Sequence, residues 1–84
     1  MSKYEKALAK LQARPVPADF KWDDLVSLLR HLGYTKLNNS GSRRKFYNQS
    51  KDLMIICHEP HPKSVVDKGC IVDVVDHLKT NGLI

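Results

Sequence analysis

A chain of 84 residues has room for one domain, expected to span residues 1–84. A domain of that size buries only about 60% of the surface its unfolded form exposes, which argues against a large enclosed substrate pocket. The composition, 42% hydrophobic and 27% charged, is that of an ordinary globular protein and excludes a disordered tail. No apolar run approaches the ~18 residues of a membrane span, and Met1-Ser2-Lys3-Tyr4-Glu5-Lys6 lacks the apolar stretch of a signal peptide. The expected compartment is the cytoplasm, with no membrane partner. A net charge of +5 and a pI near 9.4 favour a polyanionic partner. The positive charge is concentrated, because Lys36, Arg43, Arg44, Lys45 and Lys51 share a window without a single acid.

In chain order, the first apolar stripe at helical spacing is Tyr4, Ala7, Leu8 and Leu11. Ser2 followed by Glu5 has capping-box spacing, so helix 1 should begin there and run to about Gln12. Arg14-Pro15-Val16-Pro17 ends it as a connector, since proline lacks an N–H and pushes the preceding residue out of the helical region. Residues 1–17 are thus an N-terminal helix with its proline-containing connector, and 20–84 the core. The second stripe, Trp22, Leu25, Leu28, Leu29 and Leu32, opens with Asp23 and Asp24 at the positive end of the helix dipole and stops at Gly33.

Beyond Gly33 the period shortens to that of a strand, with Tyr34-Thr35-Lys36-Leu37 followed by the turn-rich Asn38-Asn39-Ser40-Gly41-Ser42. Arg43 to Asn48 and Leu53 to His58 read as two more strands, joined across Gln49-Ser50-Lys51-Asp52. Two prolines within Glu59-Pro60-His61-Pro62-Lys63 remove ladder donors and make that segment a loop. The third helical stripe, Ile71, Val74, Val75 and Leu78, begins after Lys68-Gly69 and ends at Asn81-Gly82. The expected fold class is α+β. A three-stranded antiparallel sheet carries helices on one face in the order α-β-β-β-α, as in a double-stranded-RNA-binding domain, plus the extra N-terminal helix.

Two clusters carry candidate chemistry. In Gly41-Ser42-Arg43-Arg44-Lys45-Phe46, a turn feeds a strand; Ser42 can donate to a phosphate oxygen and an arginine fork matches phosphate geometry. The competing reading is a charged edge that discourages sheet aggregation. Alternation puts Arg44 and Phe46 on one face, with Arg43, Lys45 and Tyr47 on the other. If Phe46 packs under the helices, the latter three form a basic, aromatic surface suited to RNA, and Arg44 is tolerable only near the rim.

The second cluster, His58-Glu59-Pro60-His61-Pro62-Lys63, places two imidazoles and an ammonium group within six residues. RNA cleavage without a metal needs a base for the 2′-OH, a cation for the phosphorane oxygens and an acid for the leaving 5′-oxygen; all three residue types are here. A loop with exposed histidines and no role is the alternative. No carboxylate or thiol spacing completes a ligand set for zinc, so neither a metal nor a small-molecule cofactor is expected. His31 and His77 read as helix-surface residues, and Cys57 and Cys70 as plain buried thiols.

The order of these features resembles the HicA (YcfA-like) toxin family over about Trp22 to Leu83. The features in question are a short amphipathic helix ending in Leu32-Gly33-Tyr34, the Gly41-Ser42-Arg43-Arg44-Lys45-Phe46 strand entry and the apolar strand Leu53 to Cys57. A His61-Pro62 step and Lys68-Gly69 opening a final helix complete the set. The resemblance implies a toxin of a toxin–antitoxin pair, acting as a metal-independent endoribonuclease on mRNA and neutralised by a HicB-type antitoxin. It also exposes a departure: the family's catalytic histidine corresponds in place to Arg44, or to Arg43. Arginine does not give up its proton near neutral pH but can stabilise a phosphorane. Proton transfer then falls to His61, or to His58 beside it, with Arg44 as the third catalytic candidate. Ser42, Arg43, Lys45, Tyr47 and Lys63 are the candidate RNA and phosphate contacts. The alternative is a chain that binds RNA or antitoxin and has lost cleavage.

Overall fold

The computed structural model describes residues 2–38, 43–60 and 64–84. Three helices, α1 (Lys3–Leu11), α2 (Trp22–His31) and α3 (Lys68–Thr80), accompany three strands, β1 (Thr35–Asn38), β2 (Arg43–Asn48) and β3 (Leu53–His58). The strands form one antiparallel sheet in the order β1-β2-β3. The fold is α+β, and its element order is the one expected from the sequence.

Each helix starts where its first turn finds acceptors for N–H groups that have no partner within the helix. Ser2 Oγ accepts from the Glu5 amide at 3.1 Å and opens α1. Asp67 Oδ2 accepts from the Gly69 amide at 3.1 Å and opens α3, so this helix begins ahead of the Lys68-Gly69 step expected to precede it. Lys21 precedes α2 without a side-chain cap. Here the backbone substitutes: Trp22 N–H donates to Ser64 O at 2.8 Å and Val66 N–H to Phe20 O at 2.7 Å, around an antiparallel bridge between Lys21 and Val65. The chain entering α2 is thereby held beside the chain entering α3.

One face of the sheet lies under the helices. Phe46 is fully buried and Cys57 nearly so, and both join a core with Trp22, Leu25, Leu28 and Leu29 of α2 and Ile71, Val74, Val75 and Leu78 of α3. Leu11 of α1 is also fully buried in this core. The conditional reading of β2 resolves accordingly: Arg44, Phe46 and Asn48 point inward, while Arg43, Lys45 and Tyr47 point outward.

Asn48 is the one buried polar side chain among the described residues, and it ties α2 to the β2–β3 turn. Its Nδ2 donates to Leu32 O at 3.3 Å and its Oδ1 accepts from the Lys51 amide at 3.2 Å. Gly33, with φ of +99°, turns the chain away from α2 so closely that an added Cβ would lie 3.3 Å from Asn48 Nδ2. Two stability predictions follow from this contact. Asn48→Ala strands a buried acceptor and a donor and should cost about 1–3 kcal/mol in urea unfolding. Gly33→Ala forces a side chain into the left-handed region and should cost about 1–2 kcal/mol by the same measurement.

Candidate functional site

The outward face of the sheet is built by the register of its strands. Arg43 is the cross-strand partner of His58, Lys45 stands between Leu37 and Ile56, and Tyr47 between Thr35 and Met54. Because partners in register share a face, Arg43, Lys45, Tyr47 and His58 occupy one surface, with Arg43 directly opposite His58. Leu37, Met54 and Ile56 are 42%, 48% and 51% exposed among them, which makes the face apolar between its cations. The Tyr47 hydroxyl donates to Asp52 Oδ1 at 3.0 Å. This bond, with the nearby carboxylate charge, raises the phenol above its ordinary range, so Tyr47 contributes a ring and a neutral hydroxyl rather than an acid or base.

Arg44 belongs to the other side. Its register partners are Asn38 and Cys57, and it reaches the inner rim, where Nε donates to Glu59 Oε1 at 3.1 Å. Its side chain is only 20% exposed, and a guanidinium so placed requires an anionic partner to offset lost hydration. Glu59 follows β3 directly, so this pair fastens the chain where it leaves the strand. Thus the sheet brings together Arg43, Lys45, Tyr47 and His58 but separates them from Arg44. Ser42, His61 and Lys63 lie outside the described residues.

Other groups that carry chemistry differ from their sequence reading or escaped it. His77 is half-buried rather than a surface residue, because its Nε2 is hydrogen-bonded to the Tyr34 hydroxyl at 2.7 Å; burial raises the Tyr34 pKa. His31 is exposed and stacks on Tyr4 with ring centroids 3.8 Å apart. Glu59 went unnoticed as a partner for Arg44, and the three exposed apolar side chains as part of the open face. Alternation within each strand was the available signal for the latter. Among the described residues no three His, Cys, Asp or Glu side chains are grouped to hold a metal ion, and no helix is long and apolar enough to cross a membrane.

The family described as HicA toxin of bacterial toxin-antitoxin matches residues 22–83, from the first residue of α2 to just beyond α3 and through every strand. No curated protein matches, and no solved structure does. The matched span excludes α1 and contains the Arg43, Lys45, Tyr47 and His58 face, the Arg44–Glu59 pair and all the sheet. The chain belongs to the HicA toxin family of bacterial toxin–antitoxin systems.

Proposed function

We propose that this toxin is a metal-independent endoribonuclease that cleaves mRNA and is neutralised by a HicB-type antitoxin, with residues 1–84 acting as one cytoplasmic domain. The observation that carries the reading is the open sheet face, on which Arg43, Lys45 and Tyr47 stand beside His58. Cations there neutralise phosphates, and an aromatic ring offers a surface for an unstacked base. The Leu37, Met54 and Ile56 side chains between them suit either a base or the apolar part of a protein partner, so RNA and antitoxin would compete for one surface.

In the proposed reaction a histidine takes the proton of a ribose 2′-OH, and the oxygen attacks the adjacent phosphorus. Arg43, opposite His58 on the face, stabilises the nonbridging oxygens of the phosphorane. Protonation of the departing 5′-oxygen leaves a 2′,3′-cyclic phosphate and a 5′-hydroxyl. His58 and His61 are the candidates for proton transfer, with Ser42 and Lys63 as further phosphate contacts. Arg44, turned to the inner rim, acts as a positioning residue: through Glu59 it holds the start of the segment that carries His61. A second reading, binding of RNA or antitoxin without cleavage, is favoured by the arginine that stands where the family keeps its catalytic histidine.

Incubation of purified protein with single-stranded RNA in EDTA, with end-group analysis, separates the two. The expected result is cleavage to 2′,3′-cyclic phosphate ends, reduced at least about 100-fold in His61→Ala or His58→Ala, whichever transfers the proton. Intact RNA with wild-type protein that still arrests growth overturns the nuclease reading. Arg44→Lys should lower cleavage less than Arg44→Ala, because the ammonium can still meet Glu59. For binding, Lys45→Ala should weaken RNA affinity and reduce the slope of log affinity against log salt by about one.

A further inference from the structure

Helix α1 is clasped to the α2 region at both ends of a groove between them. At one end the Tyr4 ring stacks on His31, with centroids 3.8 Å apart. At the other, Lys10 Nζ meets Asp19 Oδ1 at 3.3 Å, just ahead of α2. The first turn of α1 thus faces the last turn of α2, and the two helices run antiparallel. Between the clasps lies a cavity of about 380 Å³, and none of its lining comes from the sheet. The floor is apolar: Phe20 and Leu28 are each 1% exposed, and Ala7 leaves a notch between them and the rim. The two rims differ in charge. On α1, Lys3, Lys6 and Lys10 follow one another at i, i+3 and i+7, a single stripe of ammonium groups; on α2 stand Asp24 and Ser27. Lys3 and Lys6 are exposed, and among the described residues neither meets a carboxylate in an ion pair.

We propose that this groove is a docking site for an acidic amphipathic helix of the antitoxin. The stripe from Lys3 to Lys10 rises about 10 Å, two helical turns. Over that length a second helix laid alongside presents carboxylates at i, i+3 or i+4, and i+7, with an apolar row beside them. The apolar row covers Phe20, Leu28 and Ala7, and the small alanine lets two helix axes approach to about 8–10 Å. The edge turned to α2 carries donors instead, because a carboxylate there would face Asp24. An occupant with one acidic edge and one donor edge enters in a single rotation about its own axis. The same asymmetry disfavours RNA, whose phosphates would stand against Asp24 and leave the apolar floor uncovered.

Docking here leaves the face of Arg43, Lys45, Tyr47 and His58 untouched, so the antitoxin holds the toxin by two separate surfaces whose contributions reinforce each other. The proposal rests on the antitoxin partnership that family membership carries and is independent of whether the chain cleaves RNA. The cationic wall belongs to α1, outside the matched residues 22–83, so a partner that reads it distinguishes this toxin from one that begins at α2.

The test is calorimetric titration of the full-length toxin with its antitoxin, alongside RNA binding by the free toxin, each variant being checked for its fold by circular dichroism. Lys3→Glu combined with Lys6→Glu should lower antitoxin affinity at least about tenfold, because like charges then meet across the groove. Ser27→Trp, at an exposed position on the other rim, should fill the groove and lower it by a similar factor. Lys68→Glu combined with Lys79→Glu, the same change of net charge on exposed positions of α3, should leave it within about twofold, since surface charges far from a contact are screened. Antitoxin affinity unchanged in either groove variant, or lowered equally by the α3 pair, overturns the proposal. Loss of RNA affinity confined to the Lys3 and Lys6 variant, with antitoxin affinity intact, assigns the groove to RNA and overturns it as well. Wild-type toxin that binds no antitoxin overturns this docking and the neutralisation reading together, whereas tight binding indifferent to the groove variants overturns the docking alone.

Discussion

The contact between Trp22 and Phe46 orients the rest of the molecule. Their ring centroids lie 5.8 Å apart at an interplanar angle of 57°, joining the first residue of α2 to the middle of β2. A strand repeats every two residues, so committing Phe46 to the helices commits every neighbour. Arg43, Lys45 and Tyr47 must face away, and pairing then turns Leu37, Met54, Ile56 and His58 the same way. A slip of one residue would bury two cations and expose the phenylalanine, which makes the alternative prohibitive. The candidate face is therefore a by-product of core packing, specified by what cannot be buried.

The inward row of β2 runs from Arg44 through Phe46 to Asn48, polar at both ends. Each polar group is answered locally: Arg44 by Glu59, Asn48 by the last turn of α2 and by the hairpin. These answers divide the work of the sheet. The Asn48 end fixes where α2 stops relative to the strands, while the Arg44 end fixes where the chain leaves β3. Side chains offered to solvent lie between two anchored ends, and the surface inherits its geometry from groups that never reach it.

Much of this was legible beforehand because the signals are periodic. The bounds of β2 and β3 follow from the turn residues that flank them, and α2 stops just short of Gly33, where the backbone takes a positive φ. The N-terminal cap of α3 was missed because Asp67 stands ahead of the apolar stripe, which begins only at Ile71. Which face of β2 is inward could not be read from the strand alone, since Arg44 and Phe46 share a side and pull in opposite directions. Contacts across long separations left no trace in local pattern. Tyr34 reaches His77 over 43 residues and converts an apparent surface histidine into a half-buried one. Of the candidate site, the face holding Arg43, Lys45 and Tyr47 was anticipated conditionally, whereas the separation of Arg44 from it needed the register and the Glu59 partner together.

The span that defines family membership begins at Trp22, yet Leu11 of α1 is fully buried in the common core. A boundary drawn from kinship therefore differs from one drawn from folding. Trimming the chain to its matched region would remove a side chain the interior has closed around, leaving a hollow against α2 instead of a clean surface. In this toxin α1 is a wall of the building rather than an appendage to it, and a partner meets a molecule whose outer contour includes that helix.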